Sequence, residues 1–140
     1  MRIIVDVPSD PDILVQACQL HLEGVIATNV AIMRRRQIPP LYSAGIVYRL
    51  EPKGPEEFAN CLQVLGKAPR VSGIPGRWAD CDDAVAYRCA ELRVHGEMAT
   101  PRILWPKGSD RYHAQVRRAD GSIEDCCLIL LRNEGEQCSA

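Results

Sequence analysis

A chain of 140 residues with 46% hydrophobic and 25% charged positions has the composition of one globular domain, which excludes disorder as its dominant state. Its 17 basic and 18 acidic residues leave a net charge of -1, so no basic field exists to hold a phosphate backbone. Aromatic residues make up only 5% of the chain, too few for a base-stacking surface, and nucleic-acid binding is not expected.

The apolar start around Ile3-Ile4-Val5 is cut by Asp6 before a signal-peptide core can form. The longest uncharged stretch, Gln37 to Tyr48, contains two prolines and falls short of the ~20 residues a membrane-spanning helix needs. The expectation is a cytoplasmic protein that is not secreted by a signal peptide and does not enter a membrane. Seven cysteines are the compositional anomaly: Cys18, Cys61, Cys81, Cys89, Cys126, Cys127 and Cys138. An odd number cannot all pair within one chain, and a reducing compartment leaves them free. No two of them show C-x-x-C spacing, so no structural metal and no cofactor are expected. Most are read as small buried hydrophobes.

Arg2 to Val7 is rich in β-branched residues and predicts a short strand. Asp10 as N-cap and Pro11 at the first helical position then open a helix. Its apolar residues Ile13, Leu14, Ala17, Leu20, Val25, Ala31 and Ile32 fall roughly on one face, and Gly24 leaves open whether one helix or two is formed. Arg34-Arg35-Arg36 close the segment, where basic residues complement the helix dipole. Pro39-Pro40 stop it, and Ala44 to Leu50 reads as extended. A second helix is expected from Pro55-Glu56-Glu57 to Gly66, carrying Phe58, Cys61, Leu62 and Leu65. The Gly- and Pro-rich stretch from Gly66 to Ala79 is a long loop, a length that is often functional.

Asp80-Cys81-Asp82-Asp83 opens a third helix that runs to about His95, with Gly96 as its stop. Cys81, Val85, Cys89 and Leu92 share one stripe of it, so Cys81 faces inward. The helix start favours a thiolate, whereas the three flanking aspartates oppose one. From Arg102 the period changes to two: Arg102 to Trp105 is a strand, Tyr112, Ala114 and Val116 alternate along the next, and Ser122 to Leu131 returns as a third. The fold class is α+β, a cysteine-bearing helix against a small antiparallel sheet with an N-terminal helical segment. The division reads as one domain, 1–140: a strand and helical segment (1–40), a core (41–131) and a tail (132–140).

A cysteine at a helix start, a histidine on a later strand and a carboxylate on the next match the logic of cysteine nucleophiles. The thiol needs a base, and the base needs an acid to fix its tautomer. The candidates are Cys81, His113 and Asp125. Composition alone would make Cys81 another buried cysteine like Cys89. The backbone N–H of Cys81 is one oxyanion donor, and Trp78 and Gln115 are candidates for a second.

Asp80-Cys81-Asp82-Asp83-Ala84, Ala90-Glu91-Leu92-Arg93, Tyr112-His113-Ala114-Gln115-Val116 and Asp120-Gly121-Ser122-Ile123-Glu124-Asp125 together resemble the transglutaminase-like cysteine protease family. The likeness is to its small bacteriophage-encoded type and covers roughly Leu41 to Asp125. It implies a papain-like or transglutaminase-like architecture, with Cys81 as nucleophile, His113 as general base and acid, and Asp125 as orienting carboxylate. It also implies a thiol hydrolase or acyl transferase acting on amide or isopeptide bonds of a protein, peptide or peptidoglycan substrate. Ala79 stands where glycine is frequent, and Cys126 where proline is. Asp80 and Asp82 flank Cys81 in place of the glutamine and tryptophan of cross-linking enzymes, which favours hydrolysis over amine cross-linking. The alternative that the resemblance implies is a structural or assembly part of a bacteriophage virion with little or no catalysis, partnered by other virion proteins. The location is then host cytoplasm or virion. A plain intracellular binding module is a third reading.

The hairpin register decides whether Glu124 or Asp125 meets His113. Arg118-Ala119-Asp120-Gly121-Ser122 suits a three-residue loop, a type I turn followed by Gly121 in the left-handed conformation. That register sets Gln115 opposite Asp125 and His113 opposite Cys127, and it makes Asp125 the diagonal neighbour of His113. A two-residue loop would turn Glu124 to that face instead. The three-residue loop and an Asp125–His113 hydrogen bond are predicted.

Overall fold

The computed structural model describes residues 3–52 and 54–139. Its elements in chain order are α1 (Pro11–Arg35), a single 3-10 turn (Leu41–Ser43), β1 (Val47–Tyr48), α2 (Cys61–Val64), β2 (Trp78–Ala79), α3 (Cys81–Val94), β3 (Thr100–Leu104), β4 (His113–Arg117), β5 (Ile123–Glu124) and α4 (Cys126–Ser139). The fold is α+β. Strands β1 and β2 form a short parallel pair, and β3, β4 and β5 form an antiparallel sheet in that order. Pro101 sits in β3, an edge strand, where a missing N–H is tolerated.

Helix α3 is the centre. From Asp82 to Leu92 every residue except Arg88 is buried. Small residues at Ala84, Ala86 and Ala90 let neighbours approach on several sides, as expected of a helix enclosed all round. Helix α1 packs against α3 and β3, and α3 lies against β3 and β4, while α4 covers α3 and β1. Helix α1 is one continuous helix of 25 residues, so Gly24 does not break it. Asp10 caps it by accepting from the amides of Asp12 and Ile13, with Pro11 at the start as expected. Its buried face is Leu22, Ile26 and Asn29; the Asn29 Oδ1 accepts from the Cys61 amide at 2.8 Å and so satisfies the start of α2.

Three expectations are corrected. Residues 3–7 form no strand, because no neighbouring strand supplies ladder partners; Arg2 lies outside the described residues. The second helix begins at Cys61 rather than at Pro55. The amides of Glu57 and Ala59 are taken by the carboxylates of Glu51 and Asp83, and Asn60 forms a capping box with Gln63. The third correction matters most for the site. Strand β5 ends at Glu124, and residues from Cys126 onward are helical, so the region assigned as a tail begins inside α4. An apolar run such as Cys126 to Leu131 carries no periodicity that separates strand from buried helix. What decides it is Asp125, whose Oδ1 accepts from the Leu128 amide at 3.2 Å and caps α4. Cys127 therefore does not face His113, which opens β4 opposite Leu104 of β3. No helix among the described residues is long and apolar enough to cross a membrane.

The long loop is anchored by Arg70. Its Nη1 bonds Asp83 Oδ2 at 2.8 Å, its Nη2 donates to the Trp78 carbonyl, and its guanidinium lies 3.6 Å over the Trp78 ring. Side-chain exposure is 2% for Arg70 and 0% for Asp83, so removing the cation strands a buried carboxylate. Arg70→Ala should lower stability by roughly 3–5 kcal/mol. Urea unfolding measures it, and a loss below about 1 kcal/mol, the worth of a surface pair, would contradict this assignment.

Candidate active site

Asp80 fixes where α3 begins. Its side chain accepts from the Asp83 amide at 3.2 Å, and the Asp83 carboxylate reaches back to the Asp80 amide at 3.4 Å. Cys81 is therefore the first residue of the helix, and it is half-buried. Because β5 pairs only with Val116 and Arg117, the start of β4 has no ladder partner on that side. The Ala114 amide, one residue from His113, approaches the Cys81 sulfur and favours its thiolate.

That contribution does not prevail. Burial first, then the negative charge of Asp80, push the Cys81 thiol up to about 12, with smaller pushes from Glu56 and Asp83. Between the helix start that favours a thiolate and the aspartates that oppose one, burial and Asp80 prevail, so the thiol is held towards its protonated form. Buried Cys89 is likewise pushed up to about 12, and burial raises Cys61, Cys126 and Cys127 as well.

The hairpin has the expected register. Val116 pairs with Glu124 and Arg117 with Ile123. The Gly121 amide bonds the Arg118 carbonyl at 2.9 Å, and Gly121 has φ of 88°, the left-handed value the loop requires. Asp125 Oδ2 lies 2.6 Å from His113 Nε2. Gln115, on the same face of β4, donates to that oxygen at 3.1 Å. Burial pushes the Asp125 carboxyl up, but hydrogen bonds from His113, Gln115 and the Leu128 amide hold it below the ordinary range. With Asp125 ionised, a neutral His113 carries its proton on Nε2 and presents Nδ1 as acceptor. Glu124 points away, bound by Arg88 at 2.7 Å, Arg118 at 2.9 Å and Tyr42 at 2.5 Å.

Asp125 and His113 are thus in direct contact, and the Cys81 sulfur sits beside the next residue of β4. No hydrogen bond joins Cys81 to His113 among the described residues. Neither proposed second oxyanion donor is free: Trp78 Nε1 donates to the Ile74 carbonyl at 3.2 Å, and Gln115 is committed to Asp125. Gln115 instead acts as a second anchor for the carboxylate, a role its two-residue spacing from His113 on a strand could have signalled. Arg70 carried no such signal, since the loop between it and α3 has no period.

The surroundings of Cys81 are strongly acidic. Carboxylate oxygens of Asp80, Asp82 and Asp83 lie within 4.8 Å of one another, as do those of Glu51, Glu56 and Asp80, and either set has the oxygen donors a hard cation takes. Asp83 is already engaged by Ala59, Arg70 and Asp80. Asp82 accepts from the Tyr112 hydroxyl. Burial and the charge of Asp80 push both carboxyls up, with Arg70 opposing at Asp83. Compared with known proteins, the chain matches no family model, no curated protein and no solved structure.

Asp125→Asn retains a capping side chain but removes the charge facing His113 and Gln115. Because the folded carboxyl titrates below its unfolded value, its stabilisation is present above the unfolded value of ~3.9 and is lost as pH falls through the lower folded one. The substitution should cost about 1.5–3 kcal/mol at pH 7, and the cost should shrink towards pH 3. Urea titrations across that range test this, and a pH-independent cost would contradict it.

Proposed function

We propose that the chain is a cysteine hydrolase or acyl transferase of the transglutaminase-like kind, acting on amide or isopeptide bonds through Cys81, His113 and Asp125. The observation that carries this reading is the 2.6 Å contact between Asp125 and His113 Nε2 on the strand whose next amide approaches Cys81 at the start of α3. A helix opened by the nucleophile and packed on an antiparallel sheet that carries the base, with the carboxylate just past the last strand at the start of α4, supports the finer fold assignment as well.

In the proposed reaction the thiol proton moves to His113 Nδ1 as the sulfur attacks the carbonyl carbon of the substrate amide. His113 then passes that proton to the leaving amine, and Asp125 stabilises the imidazolium between the two steps. Water or an acceptor amine releases the acyl group from the sulfur. Since the resting thiol is protonated, His113 must act as a base during attack rather than hold a preformed ion pair. Protein, peptide and peptidoglycan-type amides are the substrate class.

A second reading, a virion structural or assembly part, is favoured by one feature. Ile13 and Leu20, a helical i, i+7 pair on α1, are 44% and 74% exposed and leave an apolar strip without a partner. Under that reading Cys81→Ser is silent, and charged substitutions at Ile13 and Leu20 impair assembly.

Alkylation separates the two without a known substrate. Iodoacetamide should modify Cys81 at pH 7.5 at least about tenfold more slowly in His113→Gln than in the parent protein. Cys18, half-buried on α1, should react equally in both. Peptide mapping by mass spectrometry gives the rates, and a Cys81 rate indifferent to His113 would sink the enzymatic reading.

A further inference from the structure

Beside the candidate site, residues 3–7, one face of α1 and the stretch from Pro55 to Phe58 enclose a cavity of about 880 Å³. Its walls are mainly apolar, with Val5, Leu14, Val25, Phe58 and Trp105 among them. It adjoins the catalytic candidates through Tyr112, which precedes His113, and through Glu56, whose charge reaches Cys81. The Tyr112 hydroxyl ties these together, donating to Asp82 and lying 3.1 Å from a Glu56 oxygen.

Two features of the cavity point to one kind of occupant. The first is charge: Asp6, Glu56 and Glu57 line it, and no lysine or arginine does among the described residues. Glu57 is answered by Arg70 at 3.6 Å and by the Ser72 amide, whereas exposed Asp6 and Glu56 make no salt bridge among the described residues. The second is backbone. Residues 3–7 make no main-chain hydrogen bond among the described residues, and their β-branched side chains Ile3, Ile4 and Val5 are 73%, 72% and 53% exposed. Unpaired backbone with β-branched side chains is a template on which an extended peptide can add as a strand.

We propose that this cavity is a peptide groove, which takes an extended segment carrying lysine or arginine among apolar side chains and lays it along residues 3–7. The apolar walls take the apolar side chains, and Asp6 and Glu56 take the cation. Its service as the substrate groove of Cys81 rests on the enzymatic reading above; the binding itself does not.

The test uses the full chain with Cys81→Ser, so that no chemistry intervenes. The probes are a blocked pentapeptide alternating isoleucine with lysine and its glutamate counterpart, followed by the emission of Trp105 and the amide resonances of residues 3–7. The lysine peptide should shift both signals and bind at least about tenfold more tightly than the glutamate peptide. Asp6→Asn with Glu56→Gln, both at exposed positions, should bring the two peptides within about twofold of each other. Equal binding of the two peptides by the parent protein, no binding of either, or a preference that survives the double substitution would overturn the groove. So would occupation by the same segment of a second copy, seen as a concentration-dependent dimer that excludes the lysine peptide. Lysine preference in a protein whose Cys81 alkylation ignores His113 would uphold the groove and remove only the nucleophile.

Discussion

One buried carboxylate holds the start of α3 in place. Asp83 accepts from the Ala59 amide at 2.8 Å, from Arg70 at 2.8 Å and from the Asp80 amide at 3.4 Å, so three separate stretches of chain meet on its two oxygens. Arg70 brings the long loop with it and carries the contact on to the Trp78 carbonyl in β2. A charge this deep persists only when it is paired and hydrogen-bonded, and the position of Cys81 follows from that requirement. The same carboxylates that define the helix start also surround the sulfur with negative charge. Placement and ionisation of Cys81 are therefore opposed, and placement has the larger hold.

The histidine side of the site is built on a different economy. Asp125 divides its oxygens, one to the start of α4 and one to His113 and Gln115. Each contact makes the carboxylate form more favourable, so the helix cap and the imidazole support one another. Glu124, one residue earlier, is taken up by Arg88, Arg118 and the Tyr42 hydroxyl and has no oxygen left for His113. Two adjacent acids thus serve two unrelated purposes, one at the last position of β5 and the other at the cap of α4.

What was legible in the sequence was local. Asp10-Pro11 and Asp80 announce their helices because a cap is a contact across three residues, and the hairpin loop is legible because Gly121 alone can take the left-handed turn. The Asp125–His113 contact followed from that loop by geometry. Distance along the chain hid the rest. The start of α2 depends on Glu51 and Asp83 taking amides that a local reading assigns to a helix. Cys126 to Leu131 offered no period to decide between strand and helix, and the β-branched residues 3–7 had no strand to pair with. The ionisation of Cys81 was open for the same reason, since it turns on where the aspartates point and how deeply the sulfur is buried.

The hairpin loop bears on which changes in length this chain can survive. Surface loop tips are ordinarily the most permissive places for insertion and deletion. Here a single residue gained or lost between Arg118 and Ser122 would invert the face of everything that follows in β5. Asp125 would leave His113, and Glu124 would be drawn out from between Arg88 and Arg118. The first turn of α4 would lose its cap in the same step. A short exposed turn thereby becomes a segment whose residue identities can drift while its residue count cannot, and descendants of this sequence should keep the spacing from His113 to Asp125 more strictly than the letters between them.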